Sequence, residues 1–347
     1  MDRTNYQPKE EIIKDNSLFR RLFRHVGPDL MILFFFSALL IPLVILYDIK
    51  ITFLQSTIIF PSCFLLFFII LAVFRYGKRI DTEDIYGKRI FSRKITEMIR
   101  DWLPFIMLLF IYENLHDLTD TISPNIVDYA LREIDEILFG IEPTLFLQQI
   151  TTPWLTEFMT VSYALYFVYP AIILGVLYYK RDIIQFREFV FALTLCFYLG
   201  FLGYILVPAI GPRYYMTSEF MVPLKGIWLA ESAAAAWNHF EVVKRDCFPS
   251  LHTAISLISL IYFWRYRNSW KHGKKLLIVC TPMIMTLVFS TIYLRYHWTI
   301  DLIAGALLAE LCVLFTPAFI KWYYFKKLGE VYEVSIDVKY RTFLRNQ

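Results

Sequence analysis

Charge is scarce in this chain. Asp, Glu, Lys and Arg make up 19% of its 347 residues, against about 25% in an ordinary soluble domain. Apolar residues fill 57% of the chain and aromatic residues 18%, and the mean hydropathy is +0.49. That balance excludes a disordered chain, a collagen-like fibre and a small disulfide scaffold, and it argues against a water-soluble enzyme. Cysteine is sparse too: Cys63, Cys196, Cys247, Cys280 and Cys312 form no CxxC pair. An odd count at these spacings makes neither a zinc site nor a disulfide framework, so the five read as small buried apolar residues. Internal repeats and low-complexity linkers are missing, and one membrane domain is the economical organisation. A signal-peptide pattern is missing as well: the first 29 residues are charged and lead straight into a long apolar run.

What the chain has in abundance is hydrophobic runs. A hydrocarbon core about 30 Å thick needs about 20 apolar residues as helix. With that window eight candidate spans emerge, at 30–48, 51–74, 102–118, 155–178, 188–208, 250–265, 276–293 and 301–320. The expected fold is an all-α integral membrane bundle of about eight helices. Lys and Arg sort by side. With the N-terminus cytoplasmic, 28 of the 35 basic residues fall in cytoplasmic segments, which is the asymmetry of an oriented membrane protein. The net charge of +4 therefore needs no nucleic-acid partner. Both termini are expected in the cytoplasm, and the composition suits a bacterial inner membrane. Trp102, Trp154, Trp298 and Trp322 stand at span ends, where interfacial anchors belong.

Two loops on the outer side are long. In the first, Ile126, Ala130, Ile134 and Leu138 recur at i, i+4, while Asp128, Arg132, Glu133, Asp135 and Glu136 fall elsewhere. This predicts an amphipathic helix lying on the membrane surface and closed by Gly140. The second loop carries Ala233 to Ala236 within a short helix.

Three polar strings converge on that same outer side: Pro208-Ala-Ile-Gly-Pro-Arg213, Arg245-Asp-Cys-Phe-Pro249-Ser250-Leu251-His252, and Ser290-Thr-Ile-Tyr-Leu-Arg295-Tyr-His297-Trp-Thr-Ile-Asp301. His297 and Asp301 stand at i, i+4, so a carboxylate can fix the imidazole tautomer and leave Nε2 free as base or nucleophile. Ser250 is a natural helix cap, and it puts His252 beside a helix N-terminus that favours anions. Arg213 follows a Gly-Pro turn, and a guanidinium binds phosphate in bidentate fashion; Arg245 and Arg295 are further cations. Two histidines, a carboxylate and several cations suit phosphoryl transfer, in which one His attacks phosphorus and the other protonates the leaving alkoxide. Taken alone, each string is also compatible with a surface ion pair or a lipid-headgroup contact.

Together and in this order the strings resemble the three signature motifs of the type 2 phosphatidic acid phosphatase superfamily. The Pro-Ser-Leu-His form at 249–252, the stretch YLRYHWTIDLIAG and the segment at 137–159 look more like its inositol phosphorylceramide synthase branch. The resemblance covers roughly residues 120–320. It implies a six-helix catalytic core with extra N-terminal spans, divided as 1–101 (N-terminal segment, two spans and basic loop), 102–321 (catalytic membrane domain) and 322–347 (cytoplasmic tail). It further implies His297 as a nucleophile forming a phosphohistidine, Asp301 orienting it and His252 as general acid. Arg213, Ser250, Arg295 and Arg245 would bind phosphate, and no metal or other cofactor would be needed. The expected partners are the bilayer, a phospholipid or lipid phosphate and, for a transferase, a lipid alcohol acceptor. The chain departs from the phosphatase pattern at Leu206, Leu251 and Thr291, where Lys, Gly and Arg are usual. Fewer cations suit a singly charged phosphodiester, which points to headgroup transfer, with hydrolysis of a lipid phosphate as the alternative. A transporter using Glu113, Glu310 and Asp301 is a reading of another class. Glu310 itself reads as a polar group bonded inside the bundle.

Overall fold

The computed structural model describes residues 28–48, 100–108, 111–112, 115–180, 182–240 and 244–323. The expected span 51–74, most of the basic 75–100 stretch, Glu113 and nearly all of the tail lie outside the described residues. Those that are described form helices and connecting turns, with no strand among them. They run as α1 (Pro28–Leu46), α2 (Leu115–Ile122), α3 (Asp128–Phe139), α4 (Pro143–Leu147), α5 (Pro153–Ala164), α6 (Val168–Lys180) and α7 (Ile183–Leu206). There follow α8 (Pro212–Tyr215), α9 (Ala230–Phe240), α10 (Leu251–Tyr266), α11 (Gly273–Tyr293) and α12 (Thr299–Lys321). Residues 100–108 are helical as well.

Five of these are long and apolar enough to cross a bilayer: Pro28–Leu46, Pro153–Lys180, Gln185–Leu206, Gly273–Tyr293 and Thr299–Lys321. The second joins α5 to α6 through a 3₁₀ turn at Leu165–Phe167. The protein is an integral membrane helical bundle. At 16 residues α10 matches the expected 250–265 span in length but falls short of the about 20 residues that a bilayer needs, and at 1.5 Å per residue it is about 24 Å long. Its place in the middle of the bundle explains why it needs no apolar stripe: Ala254, Ile258 and Tyr262 are fully buried, as are Phe189 and Ala192 of α7, and Ile284 of α11. The outside is apolar too. Phe34, Phe35, Ile278, Leu307 and Leu314 are exposed on long helices, the arrangement expected where the solvent is lipid.

Three sequence expectations are corrected by packing. Glu310 lies on the exposed stripe of α12 with Leu307 and Leu314, because Leu302, Gly305, Ala309, Cys312 and Val313 take the buried one. Trp154 and Trp322 are exposed as anchors should be, but Trp102 packs against Phe105 and Phe186, and Trp298 is fully buried. The amphipathic helix exists as α3, and Gly140 closes it in the left-handed region at φ 72°. Its apolar stripe, however, does not face in: Asp128 and Asp135 are fully buried beside Leu131, while Ile134, Leu138, Glu133 and Glu136 are exposed.

Gly305 sets how close α12 comes to α10. A β-carbon there would collide with the Ser250 carbonyl oxygen and stand 3.2 Å from Thr253 Cβ. Backbones therefore touch where the two motif-bearing helices begin. Gly305→Val should force α12 off α10, costing on the order of 1–3 kcal/mol or more. The check is a thermal melt in detergent, with Gly175→Ala, which meets nothing within 4 Å, expected to melt as wild type.

Candidate functional site

Backbone hydrogen bonds lace the three polar strings together. Ser250 N–H donates to the Asp301 carbonyl at 3.0 Å, Arg213 N–H to the Arg295 carbonyl at 2.7 Å, and Cys247 N–H to the Ala209 carbonyl at 3.3 Å. Buried carboxylates add a second set. Asp128 accepts from Ile210 N–H at 2.9 Å, Gly211 N–H at 2.8 Å and the Trp298 indole N–H at 2.9 Å. Asp135 accepts from Thr299 N–H at 2.6 Å and Ile300 N–H at 2.8 Å, which are first-turn donors of α12 with no partner inside the helix. One face of α3 therefore holds both the Gly-Pro turn and the helix that carries Asp301. Gly211, at φ 77°, could not carry a side chain there, since a β-carbon would meet the Tyr296 carbonyl.

The histidines meet. His297 Nε2 lies 3.3 Å from His252 Nδ1, and His297 Nδ1 lies 3.4 Å from Asp301 Oδ2. With Nδ1–H facing the carboxylate, His297 Nε2 is an acceptor, and the proton between the rings sits on His252 Nδ1; this tautomer is assigned from the hydrogen-bonding pattern. His297 is 3% exposed and Asp301 fully buried. Ser250 caps α10 as the sequence predicts, its hydroxyl accepting from Thr253 N–H at 3.3 Å and from the Thr253 hydroxyl at 3.1 Å. That cap fixes the first turn, on which His252 sits.

Asp301 Oδ2 serves more than His297. It accepts from Trp298 N–H at 2.8 Å and from the Cys247 thiol at 2.9 Å. Burial pushes the Cys247 thiol up and keeps it protonated, so it donates. Cys196, Cys280 and Cys312 are core residues as expected, whereas Cys247 is part of the site. Cys247, His297 and Asp301 are also a possible metal-ligand trio, with their donor atoms all within 4.8 Å of one another.

Aromatic rings wall the pair. His252 stacks on Tyr163 at 4.6 Å between centroids and tilts against Tyr166 at 4.5 Å. Tyr163 also stacks on Tyr296 at 4.8 Å, and the Arg213 guanidinium lies 4.8 Å from the Tyr296 ring and donates to its hydroxyl. A line of contacts thus runs from His252 through two tyrosines to Arg213. Arg213 and Arg295 both line a cavity of about 470 Å³ next to the histidines, roofed by the loop from Thr217 to Leu224 and by α9. Glu157 holds that roof, accepting from Ile227, Trp228, Leu229 and Ala230 N–H groups between 2.7 and 3.3 Å. Arg245 turns away to α2, binding Asp120 at 3.1 Å and the Ser123 carbonyl at 2.6 Å. His297, His252, Asp301 and Ser250 are thus brought together, and Arg213 and Arg295 share the neighbouring cavity. Asp128, Asp135, Glu157, Cys247, Tyr163 and Tyr166 were not singled out from sequence. For the α3 pair the available signal was the i, i+3, i+7 spacing of Asp128, Leu131 and Asp135.

A family model described as the PAP2 superfamily matches residues 130–328. No curated protein and no solved structure matches the chain.

Burial pushes the Asp135 carboxyl from 3.8 up to about 6, against the pull of its two backbone N–H donors. A carboxyl raised on folding binds its proton more tightly in the native state. Its contribution to stability is therefore full below pH 4 and lost as pH rises through 6. The melting difference between wild type and Asp135→Asn should shrink or reverse from pH 4 to 6 and stay level above. A flat difference across that window would show that Asp135 titrates normally.

Proposed function

This chain belongs to the PAP2 superfamily, and from that premise we propose that it is a lipid phosphotransferase working through a phosphohistidine. The observation that carries the reading is the Asp301–His297–His252 line, with heavy-atom separations of 3.4 and 3.3 Å. Asp301 stabilises the positive charge that His297 acquires as its Nε2 attacks phosphorus. The bond from phosphorus to the leaving oxygen breaks, and His252, entering the step as an imidazolium, gives that oxygen a proton and is left as a neutral imidazole. In the second step an incoming alcohol gives its proton to His252 and takes the phosphoryl headgroup from His297. Ser250 acts through the cap that orients His252, and Arg213 and Arg295 supply positive charge beside the reacting centre. No step calls on a metal or other cofactor.

Transfer to a lipid alcohol, as in the inositol phosphorylceramide synthase branch, is favoured by the burial of His297. His297 is 3% exposed and the half-buried His252 packs against Tyr163 and Tyr166, so a phosphoryl group on His297 would be shielded from water on that side. Hydrolysis of a lipid phosphate monoester is the second reading. It is favoured by the presence of two cations, Arg213 and Arg295, in one cavity, enough for a dianion. The transporter reading loses Glu310 to the exposed face of α12. The basic-residue asymmetry supports cytoplasmic termini and a site on the outer face, and the composition supports a bacterial inner membrane. The domain division at 101 and 321 is proposed on the family resemblance, whose model matches residues 130–328.

Purified protein should be assayed on a panel of labelled phospholipids and lipid phosphates, with and without ceramide or diacylglycerol. A new headgroup-bearing lipid that forms only with acceptor means transferase, and free phosphate independent of acceptor means phosphatase. His297→Ala should abolish either product while the protein still melts as wild type. Asp301→Asn should lose on the order of 10²–10⁴ in kcat, because it orients and stabilises rather than reacts. Near-normal turnover by His297→Ala would remove the proposed nucleophile.

A further inference from the structure

Cys247 lies in the second polar string and touches the other two. Its backbone N–H reaches the Ala209 carbonyl, and its sulfur lies 2.9 Å from Asp301 Oδ2, 3.6 Å from His297 Nδ1 and 3.2 Å from the Tyr296 carbonyl oxygen. As a hydrogen-bond donor a thiol is weak, and a serine hydroxyl would serve Asp301 better in the same place. What sulfur adds to a carboxylate and an imidazole is affinity for a soft or borderline metal ion. The carboxylate has capacity to spare: Asp301 is fully buried, and its Oδ1 has no hydrogen-bond partner among the described residues.

The spacing suits zinc. Bond lengths of about 2.3 Å to sulfur and about 2.0–2.2 Å to nitrogen or oxygen put neighbouring donors of a tetrahedral Zn²⁺ about 3.4–3.6 Å apart. Sγ to Nδ1 is 3.6 Å and Nδ1 to Asp301 Oδ2 is 3.4 Å, so two of the three edges are already at that length. The third, Sγ to Oδ2, is a hydrogen bond of 2.9 Å that lengthens once the thiol proton leaves. We propose that Cys247, His297 and Asp301 form an inhibitory site for Zn²⁺ or a similar thiolate-binding divalent ion. Zn²⁺ displaces the proton of Cys247, which goes to solvent, and bonds to its sulfur, to Asp301 Oδ2 and to His297 Nδ1; water takes the fourth position. Coordination uses the Nδ1 lone pair, so the proton of the neutral imidazole moves to Nε2. The nitrogen that would attack phosphorus then has no lone pair to offer, and Asp301 no longer faces an imidazole N–H. Mg²⁺ and Ca²⁺, which prefer oxygen donors, should not bind here. The inference rests on the proposed role of His297 for its effect on turnover, and on the donor trio alone for binding.

The test is titration of the detergent-purified full chain, stripped of metal by a chelator, with Co²⁺ and then Zn²⁺. Wild type should bind a single Co²⁺ with tetrahedral visible bands and a thiolate-to-cobalt charge-transfer band, and Zn²⁺ should erase both. Cys247→Ser, with its fold checked by a thermal melt, should lose the charge-transfer band. It should also bind Zn²⁺ at least about ten-fold more weakly in competition with a chromophoric chelator, since even the outer partners of metal ligands are worth that much. In turnover Zn²⁺ should inhibit wild type, reversibly by chelator, and Mg²⁺ at the same concentration should not. Zinc sensitivity, read as the ratio of rates with and without Zn²⁺ within each protein, should fall in Cys247→Ser. No thiolate-to-cobalt band in wild type, or the same Zn²⁺ affinity in Cys247→Ser, overturns the inference. Equal zinc sensitivity in the two proteins also overturns it, by placing the zinc on lipid phosphate or elsewhere on the chain. If His297→Ala remains active, the nucleophile assignment fails, while the cobalt spectrum decides the metal site by itself.

Discussion

Carboxylates that accept backbone N–H groups hold this site in place. Asp135 takes two first-turn amides of α12, Asp128 takes two amides of the Gly-Pro turn and the Trp298 indole, and Glu157 takes four amides leading into α9. Asp301 takes the Trp298 amide while facing His297. Helix starts and tight turns leave amides without partners, and away from water each such amide is costly. A carboxylate with two acceptor oxygens satisfies several at once and neutralises the positive end of a helix. The polar strings are therefore positioned by backbone chemistry that any side chains on those turns would share, and the reacting groups ride on that frame.

That division of labour shapes the chemistry. His252 sits on the first turn of α10 and His297 in the short connection just before α12, and the two helices touch at Gly305, which brings the rings within 3.3 Å. Aromatic rings pack on His252, and Arg213 stands beyond Tyr163 and Tyr296. A low-dielectric setting strengthens every charge interaction within it and lets a few fixed groups stabilise a transferring phosphoryl group. Cys247 fits the same logic: its thiol is a weak donor that satisfies part of the Asp301 carboxylate without taking its charge.

The long helices and the three strings were legible because they leave local marks: apolar length, a Pro-Ser cap, and a His and an Asp one helical turn apart. What was not legible is instructive. The spacing of Ile126, Ala130, Ile134 and Leu138 marks one side of α3 as apolar, but only the bundle decides which side faces in. In lipid the apolar side can face out, and Asp128 and Asp135 face in because amides from distant turns wait for them. Trp298 looked like an anchor because span-end tryptophans usually are; its partner is 170 residues away. Tyr163 and Tyr166 are two among 23 tyrosines, and nothing local distinguishes a ring that packs on a histidine from one that packs on lipid.

The central claim is that His297 Nε2 becomes covalently bonded to phosphorus. Wild-type protein mixed with a lipid substrate labelled at phosphorus, quenched in alkali within a turnover and digested for mass spectrometry, tests it directly. The account predicts an acid-labile, alkali-stable adduct on the peptide containing His297, missing from His297→Ala and chased away by acceptor. Turnover with the label on another residue, or with no protein-bound label under conditions where a mixed-in phosphohistidine standard survives, would contradict it.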